Sequence, residues 1–302
     1  NDPVRGYLNV KVSAGSAKIV KTSEDGKVSG ISFTITGNGV NQTVKTGSNG
    51  EITVNNLAPG TYTVTEQSIN YYEPQQSKTV TVVSGQTVSV SFNNVLKRSD
   101  LKVIKTSEDN MNEGVKFRLY GKSTSGQNID LYATTNAEGV AVFKDVLIGT
   151  NYTLEEVDTA ERYIVPDSQN AVIEWEKVTE NDFYNELKRG DLKVVKTSED
   201  GLVEGMKFHL YGTSLSGIAV DEYAVTDKNG IAVFEDVLIG SRYTLEEVDT
   251  AEKYIIPDAQ TVEVEWNKVT ETSFENILKR GDLKVVKTAE DKLVEGLKFH
   301  LY

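Results

Sequence analysis

The sequence predicts an all-β fold of tandem β-sandwich domains, and three observations carry that prediction. A Lys-Thr-Ser-Glu-Asp segment recurs at Lys21, Lys105 and Lys196, and a Phe-x-Asn-x-Leu-Lys-Arg segment recurs around Asn94, Asn185 and Asn276. Between these markers lie short runs of alternating apolar and polar residues, separated by turn residues. No stretch shows a convincing helical period, which points to sandwiches.

The third unit shows the elements in order. Leu192 and Val194 alternate with Lys193 and Val195, and Glu199-Asp200-Gly201 then marks a turn. Met206, Phe208 and Leu210 alternate with Lys207, His209 and Tyr211 as a second strand. Lys228-Asn229-Gly230 predicts a hairpin into Ile231–Phe234, and Gly240-Ser241 a further break. Tyr243–Val248 reads as another strand. Val262, Val264 and Trp266 alternate with Glu263 and Glu265, which places Trp266, like Trp175, within a strand. The unit closes on Ser273–Ile277.

Lys105, Lys196 and Lys287 are spaced by 91 residues, and Lys21 precedes Lys105 by 84. Such a period exceeds a typical solenoid repeat and suits a small domain with its own core. The expected domains are residues 1–97, 98–188 and 189–279, with 280–302 the truncated start of a fourth repeat. That last piece lacks most of a core and is expected to be poorly ordered unless it docks elsewhere. Junctions such as Leu187-Lys188-Arg189-Gly190-Asp191 contain no Gly/Ser or Pro tract, so limited bending between neighbouring domains is expected. The chain does not begin with Met, and it shows no signal peptide, membrane span or Leu-Pro-x-Thr-Gly sorting signal. It reads as an excised part of a longer protein.

The 302 residues carry 45 acidic and 32 basic side chains, a formal charge of −13, which argues against a nucleic-acid partner. The acidity belongs to the later repeats, since the first 97 residues hold 8 basic and 6 acidic side chains. There is no cysteine, so no disulfide staples these domains. His209 and His300 have no clustered partners, and the acidic turns lack an EF-hand loop. No cofactor, no metal and no hydrolytic triad are expected.

Parity isolates three residue types. Lys105 shares its strand face with Leu101 and Val103, and Lys196 shares its face with Leu192 and Val194, so these lysines should point inward. An inward lysine is costly unless it is neutral or partnered. In the Tyr-Thr-x-x-Glu segments the final Glu66, Glu156 and Glu247 share the apolar face, while Glu155 and Glu246 should face solvent. Asn94, Asn185 and Asn276 follow the parity of Phe92, Phe183 and Phe274. A core-facing Asn must satisfy its amide, and the residues alone leave open a structural hydrogen bond to backbone or a reaction.

Taken together, Lys-Thr-Ser-Glu-Asp, Tyr-Thr-x-x-Glu and Phe-x-Asn, in that order and three times over, resemble the Cna B-type repeat domains of Gram-positive adhesins and related pilins. The resemblance implies immunoglobulin-like or prealbumin-like sandwiches, each with a spontaneous Lys–Asn isopeptide bond. It assigns the nucleophile to Lys21, Lys105 and Lys196, the electrophile to Asn94, Asn185 and Asn276, and proton transfer to Glu66, Glu156 and Glu247. Burial would favour a neutral lysine and a protonated Glu that hydrogen-bonds the Asn carbonyl. Each bond would form once, so no turnover enzyme is expected. Loop closure of this length is worth about 4–5 kcal/mol on the chain-entropy model.

The first unit departs from the pattern. It has an extra lead, Leu8–Val12, rival lysines at Lys11 and Lys18, and a rival Asn93. Lys287 of the fourth unit has no matching Glu or Asn. The expected role is a structural stalk on a bacterial cell surface, with neighbouring domains of the same chain as its partners. The alternative is direct binding of host matrix or glycan. Against it, the units show no recurring aromatic platform in their turns, and no pilin-type lysine motif supports polymerisation.

Overall fold

The computed structural model describes residues 12–302, and every regular element among them is a β-strand. The chain divides into two compact units. One runs to Thr159 and includes Val165–Asn185; the other comprises Ala160–Ile164 and Glu186–Tyr302. The first unit contains two sandwiches and the second contains one.

The first sandwich sets the plan. Its strands are β1 (Gly15–Ser23), β2 (Ser32–Gly37), β3 (Val40–Lys45), β4 (Glu51–Leu57), β5 (Gly60–Glu66), β6 (Lys78–Val82) and β7 (Thr87–Asn94). One sheet has the order β4-β1-β7 and the other β3-β2-β5-β6. The first and last strands, β1 and β7, are parallel neighbours, with Lys21 opposite Phe92 and Ser23 opposite Asn94. All other pairings of this domain are antiparallel. Opposite the start of β1, Asn56 adopts a left-handed φ of 61° where the register slips.

The same plan recurs twice. Arg98–Ser107 lies between Val140–Leu147 and the parallel Thr179–Asn185. Arg189–Ser198 lies between Ile231–Leu238 and the parallel Val269–Leu278. The second sheets of these domains each hold four strands. Each core forms where the two inner faces meet, and a phenylalanine pair joins them: Phe33–Phe92, Phe117–Phe183 and Phe208–Phe274, with centroids 5.0, 5.0 and 5.1 Å apart. Such tilted pairs add about 0.5–1.5 kcal/mol beyond the area they bury.

The tyrosine that opens each Tyr-Thr-x-x-Glu segment is fully buried, and its hydroxyl donates to a carbonyl just upstream. Tyr62 reaches Ala58 at 2.9 Å, Tyr152 reaches Leu147 at 2.9 Å and Tyr243 reaches Leu238 at 2.7 Å. This anchors the strand that carries the glutamate. Burial pushes the Tyr152 and Tyr243 hydroxyls up to about 12.

Several local expectations are corrected. Lys228-Asn229-Gly230 forms a turn but no hairpin, because the strands it joins, Ala219–Val225 and Ile231–Leu238, belong to different sheets. The chain break falls at Ile239, and Gly240 already opens the strand Gly240–Val248. Trp175 and Trp266 stand in turns after the strand has ended, each followed by a left-handed residue, Glu176 at φ 58° and Asn267 at φ 53°. The expectation of no recurring aromatic in the turns therefore fails for the second and third domains. Each indole lies under a lysine, Lys97 at 4.6 Å and Lys188 at 4.9 Å. Of the extra lead, residues 8–11 lie outside the described residues. Residues 279–302 form no strand.

Candidate functional site

Each site begins with a lysine that strand alternation turns inward. In β1, Ala17, Ile19 and Lys21 share the buried face, with Lys21 only 2% exposed. Lys105 and Lys196 are equally enclosed, behind Leu101 and Val103 and behind Leu192 and Val194. The Nζ of Lys21 and Lys196 donates to the carbonyl of the next residue at 2.7 and 2.6 Å, and that of Lys105 to Thr106. Burial holds all three amines below their ordinary 10.5, and the attraction of a nearby glutamate acts in the opposite direction. The rival Lys18 lies on the outer face and pairs with Glu51 at 2.8 Å. Lys11 lies outside the described residues.

The glutamate arrives from the facing sheet. Glu66 stands opposite Phe33, Glu156 opposite Phe117 and Glu247 opposite Phe208. Each lysine stands opposite the other phenylalanine of the same aromatic pair. The ring contact between sheets therefore brings glutamate and lysine together and forms an apolar floor. Glu66 Oε2 lies 3.5 Å from Lys21 Nζ, and Glu247 Oε2 lies 3.6 Å from Lys196 Nζ. In the second domain the charge of Glu156 acts on Lys105.

The asparagine completes the set. Asn94, Asn185 and Asn276 are at most 1% exposed, and each Nδ2 donates to the glutamate Oε1 at 2.7, 2.8 and 2.8 Å. Among the described residues the acceptor is thus a carboxylate and not a backbone carbonyl. Oδ1 of each asparagine is buried without a hydrogen-bond partner among the described residues, while Oε2 of Glu66 and of Glu247 has the lysine amine as its ion-pair partner. Three polar groups thus converge on one buried site with the asparagine acceptor left over, a costly arrangement for a purely structural site. The carboxylate faces the amide nitrogen, whereas the sequence reading pointed it at the carbonyl oxygen. Asn93, the rival, points outward and accepts from Thr22 Oγ1 at 2.9 Å. Lys287 of the last unit is exposed, with its Nζ on the Thr288 carbonyl.

One contributor escaped the sequence reading. The carbonyls of Gly50, Gly139 and Gly230 accept the backbone amides of Lys21, Lys105 and Lys196 at 2.8, 2.8 and 2.7 Å. All three glycines have positive φ, and a Cβ on any of them would stand 2.5 Å from that lysine's own carbonyl oxygen. Only glycine fits there. The signal available was the turn sequence ending in Gly, Ser-Asn-Gly, Ala-Glu-Gly and Lys-Asn-Gly, at the same place in each unit.

A recurrent prealbumin-like sandwich with this buried constellation defines the class, and sequence comparison agrees. The family model described as SpaA, prealbumin-like fold domain, matches residues 15–96, 99–187 and 190–277. The chain belongs to this family, as three tandem domains, which bears out the resemblance drawn from the motifs. Among solved structures, the Bacillus anthracis TIE protein is similar in fold, with a TM-score of 0.69 at 23% identity over 88% of this chain. The match covers 51% of that protein, so the chain spans about half its length. BcpA, the major pilin subunit of Bacillus cereus, matches over 88% of this chain and 100% of its own at 15% identity, with a TM-score of 0.49. No curated protein matches the chain.

Proposed function

We propose that the chain is part of the stalk of a Gram-positive surface protein, and that each of its three domains closes an isopeptide bond on itself. The observation that carries this reading is the buried Lys–Glu–Asn set, complete in all three sandwiches, with the asparagine Oδ1 of each left without a hydrogen-bond partner among the described residues. Neutral lysine Nζ attacks the asparagine Cγ, forming the new C–N bond, and the bond from Cγ to Nδ2 breaks. Glutamate takes the proton from Nζ and delivers it to Nδ2, which leaves as ammonia. With Nδ2 facing Oε1, the carboxylate is placed for that delivery. The fold supplies proximity, which makes an otherwise slow amide exchange feasible.

The proposed setting is extracellular, at the bacterial cell surface, where a chain without cysteines gains a covalent staple by this route. Intact mass tests the reading: each bond releases about 17 Da, so three remove about 51 Da. A chain at its full mass overturns it.

A further inference from the structure

The chemistry above leaves unused the Asp of each Lys-Thr-Ser-Glu-Asp segment, yet this residue is embedded beside the site. Asp25 has a side chain only 3% exposed. Its Oδ1 accepts from Ser23 Oγ at 2.5 Å, from the Tyr72 hydroxyl at 2.6 Å and from the Lys27 amide at 3.2 Å. Its Oδ2 lies 3.4 Å from Lys27 Nζ. In the third domain Asp200 Oδ1 accepts from Ser198 Oγ at 2.8 Å and from the Tyr254 hydroxyl at 2.7 Å, and Oδ2 accepts from Lys253 Nζ at 2.6 Å. The second domain has Asp109 and Tyr163 at the corresponding sequence positions, with Ser107 Oγ donating to Asp109 at 3.0 Å.

These contacts join the two strand ends that bear the reacting groups. Ser23 and Ser198 stand two residues beyond the lysine and directly opposite Asn94 and Asn276 in the parallel ladder. Tyr72 bridges to Leu96 and Tyr254 pairs with Leu278, each two residues beyond the asparagine. In the first domain the Tyr72 loop also covers the site. Ser68, Tyr72 and Pro74 rim a cavity of about 60 Å³ that has Glu66 and Asn94 in its wall. This is room enough for a water-sized molecule such as the departing ammonia.

We propose that Asp25 with Tyr72, and Asp200 with Tyr254, are positioning residues for crosslinking. The Asp–Tyr link pins the end of the lysine strand to the end of the asparagine strand and, in the first domain, holds the covering loop shut. Amine and carboxamide are thereby kept in register until they react. This inference rests on the crosslinking reading.

The test follows the full-length chain during cell-free synthesis, quenching samples over time and quantifying crosslinked peptides by mass spectrometry after digestion. The Lys105–Asn185 peptide serves as an internal clock. In Tyr72→Phe and in Asp25→Ala, the Lys21–Asn94 peptide should appear about tenfold more slowly than in the parent, while the Lys105–Asn185 peptide keeps its rate. Asp25→Asn, which retains an acceptor oxygen, should recover part of the rate. A merely structural link would lower the melting temperature and leave the Lys21–Asn94 rate unchanged; that outcome in both Tyr72→Phe and Asp25→Ala overturns the positioning role alone. A parent chain that forms no Lys105–Asn185 peptide overturns the crosslinking reading, and this inference with it.

Discussion

The carbonyl of Gly139 accepts the backbone amide of Lys105 at 2.8 Å, and a Cβ on Gly139 would stand 2.5 Å from the Lys105 carbonyl oxygen. The turn is fitted against the backbone of the buried amine itself. Gly139→Ala therefore meets both a left-handed φ and a backbone clash, at a cost of about 1–3 kcal/mol. Thermal unfolding should show the second domain melting lower, by about 4–8 °C for each kcal/mol. An unchanged transition would show that the turn moves aside freely.

Only the inward member of each rival pair should react. Lys21→Ala or Asn94→Ala should reduce the mass deficit from about 51 to about 34 Da, whereas Lys18→Ala and Asn93→Ala should leave it at about 51. Lys18 is paired with Glu51 on the outer face, and Asn93 is turned away from Glu66. A crosslinked peptide containing Lys18 or Asn93 would refute this assignment.

Glu156→Ala should leave the second domain folded and uncrosslinked, so that the mass deficit against its own sequence falls from about 51 to about 34 Da. Glu156 Oε1 is the group that receives the Asn185 amide, at 2.8 Å. Peptide mapping should find Lys105 and Asn185 unmodified and the other two bonds intact.

The buried amines also predict a pH dependence with a definite sign. Desolvation lowers the lysine value in the folded state below the 10.5 of the unfolded chain, despite the attraction of the glutamates. Between the two values the unfolded state binds more protons, so stability rises with pH. Below the folded value the penalty is fully present and constant. A triple variant, Asn94→Ala with Asn185→Ala and Asn276→Ala, keeps its lysines as amines and should gain stability as pH approaches 10.5. A parent crosslinked as proposed would have amides at these positions and should lack that component in paired urea titrations. Identical pH profiles would contradict it.

Lys97 lies 4.6 Å over the Trp175 ring and also donates to the Asn70 carbonyl at 2.9 Å, which ties the first sandwich to the second within their common unit. A double-mutant cycle with Lys97→Ala and Trp175→Ala should return a coupling of about 0.5–1 kcal/mol in urea unfolding. Additive single effects would mean that the contact contributes nothing.

The site was legible in the sequence wherever the two-residue period of a strand carried the information. Leu101, Val103 and Lys105 alternate without a break, so the inward lysine follows from parity, and Glu156 and Asn185 follow in the same way. Parity failed beyond the strand's end, where the sequence of Val262 and Val264 was extended to Trp266 although the chain had already turned. The Lys-Asn-Gly turn misled because its local chemistry is the same whether the chain returns to its own sheet or crosses to the other. Asp25 and Tyr72 are 47 residues apart, and no local pattern announces a side-chain contact across that distance. The orientation of the Asn94 amide toward Glu66 is a rotamer set by packing, which periodicity does not encode.

The parallel pairing of β1 and β7 puts the entrance and exit of the first domain at opposite ends of its sheet. With Lys21 joined to Asn94, tension entering at Gly15 follows one strand, crosses a single amide and leaves beyond Asn94. Residues 22–93 then contribute no slack, although at full extension they would release roughly 250 Å of contour length. A domain closed in this way could not lengthen by unfolding as an uncrosslinked sandwich does. Under the proposed crosslink, its response to load would be set by the strength of a covalent bond, and its folded part could open and reclose without a change in length.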